Sequence, residues 1–115
     1  MNPTLQMIRG DTVKYKFQRK DSEGEVITAT PDALYFTVKE TTTKQRPVFQ
    51  KTLEDMQMDS DGNWSFTIEP ADINGLQYWK YAYDLEVIQG GVKTTISIGT
   101  FIIKPEVTWA QNEEA

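Results

Sequence analysis

From Trp79 to Ile88 the chain alternates without a break. Trp79, Tyr81, Tyr83, Leu85 and Val87 share one parity; Lys80, Asp84 and Glu86 lie on the other. A repeat of two sends successive side chains to opposite faces, so a segment written this way is a strand with one dry face. The same grammar recurs. In Thr12–Lys20, Val13, Tyr15 and Phe17 alternate with Lys14, Lys16 and Gln18; Ala33–Glu40 carries Leu34, Phe36 and Val38 on one side; Asn63–Ile68 carries Trp64, Phe66 and Ile68. Leu5–Arg9 and Val92–Lys104 also read as strands, as does Pro47–Leu53, whose proline suits an edge or a strand start. That makes seven strands. In the last, Ile96 and Ile98 share one parity and Phe101 and Ile103 the other, which predicts a bulge or kink near Gly99.

Turn chemistry separates these strands. Asp21-Ser22-Glu23-Gly24, Asp59-Ser60-Asp61-Gly62 and Gln89-Gly90-Gly91 are tight-turn sequences, and Thr41–Arg46 is a polar loop. Pro70–Leu76 predicts a single helical turn, with proline near its start and Gly75 near its end. Short strands with this punctuation build a β-sandwich or barrel. The predicted inward set is Val13, Tyr15, Phe17, Leu34, Phe36, Val38, Trp64, Phe66, Ile68, Leu76, Tyr81, Tyr83, Leu85, Ile96, Ile98 and Phe101. Fully burying one aliphatic or phenylalanine side chain contributes roughly 1.5–3 kcal/mol. A chain of 115 residues has room for one such core. The expectation is one domain over residues 1–104 and a tail over 105–115 that is loose at Asn112–Ala115.

The sequence contains neither cysteine nor histidine. Disulfides, thiolate metal sites, Ser–His–Asp catalysis and Cys–His catalysis therefore cannot arise within it. Nothing in it calls for a cofactor. No stretch approaches a membrane span, and the first residues hold no apolar signal region, which points to synthesis in the cytoplasm and to no membrane partner. A net charge of −5 argues against a nucleic-acid partner. The charge is uneven. Residues 1–51 hold nine Lys/Arg and six Asp/Glu, and residues 52–115 hold three and eleven. In a sandwich the two halves interleave, so this asymmetry is expected to dissolve in space.

Four strings in order resemble a known family. They are Ile8-Arg9-Gly10-Asp11-Thr12 leading into Tyr15-Lys16-Phe17; Leu34-Tyr35-Phe36-Thr37-Val38-Lys39; Gly62-Asn63-Trp64-Ser65-Phe66-Thr67-Ile68 followed by Pro70; and Lys80-Tyr81-Ala82-Tyr83-Asp84-Leu85. Together, over residues 5–104, they resemble the immunoglobulin-like N-terminal domain of baseplate upper proteins of tailed bacteriophages and prophages. The resemblance implies a seven-stranded antiparallel immunoglobulin-like β-sandwich with a structural role in a virion. Family members continue into a later part that reaches outward; this sequence stops soon after its last strand. The expectation is thus a stand-alone, non-enzymatic virion or tail-associated protein. Its partners would be other phage structural proteins, or a second copy of itself.

Candidate sites divide into turns, core and contacts. Arg9-Gly10-Asp11 spells an integrin-binding tripeptide but reads better as a turn. Asp59-x-Asp61-x-Asn63 opens like a calcium loop, yet Trp64 and Pro70 stand where that loop needs glycine and glutamate. Tyr35, Trp64, Tyr78, Trp79 and Trp109 would make a sugar-stacking platform if exposed together, which defines the alternative reading: a carbohydrate-binding immunoglobulin-like module. Asp84 and Glu86 share an outward face but have no visible pocket for a two-carboxylate hydrolase. Tyr81, two residues before Tyr83, matches the tyrosine corner of immunoglobulin-like sandwiches. Edge strands recruit partners through unpaired backbone groups, so Pro47, Phe49, Val107 and Trp109 are the predicted contact residues.

Overall fold

The computed structural model describes residues 4–41, 46–73, 75–76 and 80–105. Its strands are β1 (Leu5–Ile8), β2 (Val13–Gln18), β3 (Ala33–Lys39), β4 (Phe49–Thr52), β5 (Met56–Met58), β6 (Asn63–Ile68), β7 (Lys80–Gln89) and β8 (Val92–Lys104), with a short helix α1 (Pro70–Ile73). They form two sheets, one ordered β1-β8-β7-β3-β4 and the other β2-β6-β5. The apolar parities of the two sheets face each other. Phe36 of β3 meets Phe66 of β6 at a ring separation of 4.7 Å, and Leu34, Val38, Ile68 and Phe101 are fully buried beside them.

Three features correct the sequence expectation. There are eight strands among the described residues rather than seven, because Met56–Met58 pairs with β6. The larger sheet is mixed rather than antiparallel, because β1 runs parallel to β8, with Leu5 opposite Phe101 and Ile8 opposite Lys104. The irregularity in β8 lies upstream of Gly99. Gly99 pairs regularly with Tyr83, whereas Leu85 faces Ser97 and Glu86 faces Thr95, leaving Ile96 as the extra residue. The bulge exchanges the two faces. Ile96 therefore packs against the core, and Ile98, predicted inward, is 44 % exposed beside Asp84.

Local chemistry fixes the connections. Asp55 accepts bonds from the backbone N–H and the hydroxyl of Thr52, ending β4 in a 3-10 turn over Leu53–Asp55 that carries the chain into the second sheet. The two Asp-Ser-x-Gly turns are built alike. Asp21 Oδ1 accepts the N–H groups of Glu23 and Glu25; Asp59 Oδ1 accepts those of Asp61 and Asn63. The predicted helical turn is present as α1, tied to β4 by a 2.8 Å ion pair between Lys51 and Asp72. Its Ile73 reaches the core, as do Met7, Met56, Val87 and Ile103, none of which was in the predicted inward set. First-half and second-half strands share both sheets.

Candidate interaction surface

The motifs that suggested chemistry are occupied by structural work. Arg9-Gly10-Asp11 is a turn in which Asp11 N–H donates to Ile8 O at 3.0 Å, and the Arg9 guanidinium donates to the carbonyl of Leu76. Both oxygens of Asp59 are engaged within its own turn, Oδ2 accepting the Asn63 side-chain amide at 3.2 Å. The backbone N–H of Asn63, with its amide, holds this carboxyl below the ordinary aspartate range. Those oxygens face N–H donors, which is the opposite of what a cation needs. Among the described residues no cluster of His, Cys, Asp or Glu is grouped to hold a metal.

The aromatic platform does not assemble among the described residues. Trp64 is buried and stacks on Phe17, with an interplanar angle of 11°. Its indole N–H has no partner among the described residues. Tyr35 is half-buried on the outer face of the larger sheet, while Tyr78, Trp79 and Trp109 lie outside the described residues. Asp84 and Glu86 do share the outer face of β7. Glu86 lies 3.7 Å from Lys93, and burial together with Glu86 lifts the Asp84 carboxyl above its ordinary range. Asp84 borders a hollow of about 140 Å³.

Of the predicted contact residues, Val107 and Trp109 lie outside the described residues. Pro47 is exposed at the start of the β4 edge. Phe49 turns its ring inward, 6.2 Å from Phe36 and 5.9 Å from Phe101, so β4 offers a partner its backbone and its polar side chains.

A longer open edge was not anticipated. β7 pairs with β8 from Gln89 opposite Val92 to Lys80 opposite Ile102, but β1 covers the other side of β8 only over Phe101–Lys104. From Val92 to Gly99 the outer backbone of β8 has no strand partner among the described residues. β2 is likewise an outer strand of its sheet. The hydroxyl of Tyr15 on β2 donates to Gln6 O of β1 at 2.9 Å, which closes the two sheets together at one end. Beyond that bond the side of the molecule opens.

The opening is a pair of adjoining clefts that share Ile96. One, about 160 Å³, has Leu5, Tyr15, Phe17 and Ile96 in its walls and Phe36 and Phe66 beneath. Burial, with Tyr83 nearby, pushes the Tyr15 phenol up to about 12. The other, about 380 Å³, is lined by Arg19, Lys20, Ile27, Val87, Thr94 and Thr95, among others. Arg19 continues the inward parity of β2 and is only 8 % exposed. Its guanidinium donates to Ala29 O at 3.2 Å and to Gln89 Oε1 at 2.7 Å, two neutral acceptors. Desolvation lowers its pKa from the ordinary arginine value. The parity of β2 already placed Arg19 inward; only its charge argued otherwise. No protein-family model and no curated protein matches this sequence, so its functional reading rests on the sheets, their edges and the cleft between them.

Proposed function

We propose that the protein is a non-enzymatic structural component of a tailed phage or prophage particle, associated with tail or baseplate and acting through protein–protein contacts. The observation that carries this reading is the open edge of β8 beside an apolar cleft, a surface whose natural ligand is another polypeptide. The immunoglobulin-like part of the reading draws on the pairing order. A three-stranded sheet faces a larger sheet in which the first strand lies beside the last, and β3, β7 and β8 are neighbours. Tyr81 adds to it, buried at the entry to β7 where a tyrosine corner would stand.

The test is deletion of the gene from an inducible lysogen, followed by electron microscopy of the particles. Missing or malformed tails and baseplates are the expected result. Particles of normal structure and infectivity would overturn the proposal.

A further inference from the structure

The position and charge of the β2–β8 opening specify an occupant. β1 already adds to the outer side of β8 over its last four residues, so the slot left open among the described residues continues an existing ladder. Eight residues, Val92–Gly99, span roughly 26 Å at strand spacing. A strand laid there would send every second side chain between the sheets, onto Leu5, Phe17 and Ile96, and the intervening ones outward. Charge selects further. Lys16, Arg19 and Lys20 line the two clefts, and among the described residues no carboxylate does. Among the described residues the buried Arg19 guanidinium bonds two neutral acceptors, and a carboxylate is the ligand that best compensates a desolvated guanidinium. A second copy fits poorly. Pairing β8 with β8 would set one basic rim against another.

We propose that Val92–Gly99 of β8 accepts, as an added strand, an extended segment of a partner protein whose inward side chains are apolar over Leu5, Phe17 and Ile96 and end in a carboxylate beside Arg19. This rests on the reading that the protein works through protein contacts. The test uses the folded chain and the capped heptapeptide Val-Thr-Val-Thr-Val-Thr-Glu, whose valines and glutamate share one face, with the counterpart ending in lysine as control. Calorimetry gives affinity, and amide hydrogen exchange followed by NMR gives the site. The glutamate peptide is expected to bind with Kd below about 1 mM and to slow exchange within Val92–Gly99. The lysine peptide is expected not to bind. The exposed pair Lys16→Glu and Lys20→Glu, which leaves the core untouched, should weaken binding about tenfold or more. Absence of glutamate-peptide binding, equal binding of the lysine peptide, an unchanged affinity in the double variant, or protection at Phe49–Thr52 instead of β8 would each overturn the proposal. A chain that fails here but is required for normal particles loses the slot and keeps its structural role.

Discussion

Replacing Gly62 and Gly24 by alanine, one at a time, separates two costs that usually arrive together. Both glycines close an Asp-Ser-x-Gly turn, and both have φ +85°. A Cβ in that left-handed region costs about 1–2 kcal/mol whatever surrounds it. The surroundings differ. At Gly24 a Cβ meets nothing within 4 Å; at Gly62 it would stand 2.5 Å from Val26 Cγ1 and 3.4 Å from Thr28 Cγ2. Relieving that overlap means moving the segment that lies over the turn, and overpacking of this kind costs roughly 1–3 kcal/mol. Gly24→Ala should therefore destabilise by about 1–2 kcal/mol and Gly62→Ala by about 2–5 kcal/mol. Urea unfolding followed by tryptophan fluorescence resolves the difference. With a urea slope of about 2 kcal/mol/M, the Gly62→Ala midpoint should fall below that of Gly24→Ala by roughly 0.5–1.5 M. Adding Val26→Ala to Gly62→Ala should recover part of the loss. Equal midpoints for the two single variants would refute the steric argument and leave backbone strain as the whole effect.

Other predictions address charge and hydrogen bonding. The Asp84 carboxyl has its pKa raised by burial and by Glu86, so the native state holds that proton more tightly than the unfolded chain. Its charge therefore costs stability at neutral pH, and the cost fades as pH falls through the raised pKa. Asp84→Asn should raise the urea midpoint near pH 7 and leave it unchanged near about pH 3. For Tyr15, lifted to about 12, the contribution is complete below the unfolded phenol value of about 10 and is lost as pH rises through the folded one. Tyr15→Phe should flatten that alkaline loss in a pH series of melting temperatures. Tyr81→Phe should cost on the order of 1 kcal/mol if a tyrosine-corner bond exists; unchanged stability would remove that argument for an immunoglobulin-like fold.

Period-two alternation made most of the architecture readable before any coordinates. β2, β3, β6 and β7 lie where their parities put them, because one dry face leaves register little choice. The misses share a cause, which is pairing that no local pattern encodes. Met56–Met58 is three residues long, with no β-branched side chain, and is a strand because β6 lies beside it. The parallel contact of β1 with β8 joins opposite ends of the chain. The bulge fell at Ile96, an ordinary β-former, rather than at the glycine three residues on, so residue type did not mark it. The open stretch of β8 follows from a length mismatch, thirteen residues against four in β1, and becomes visible only once those strands are known to be neighbours. Tyr15, Phe17 and Ile96 of that surface were legible as inward residues, and Arg19, on the same parity of β2, carried a signal that the strand pattern alone does not explain. An arginine on an apolar parity is either an error in the strand assignment or a buried charge with a task.

The most direct test of the account is peptide mass spectrometry of purified phage-like particles released after prophage induction. The account predicts that this chain copurifies in a fixed ratio to tail or baseplate proteins, with a copy number that indicates its symmetry and place in the particle. Particles that contain no trace of it, from cells that express it, would contradict the claim that it is a virion component.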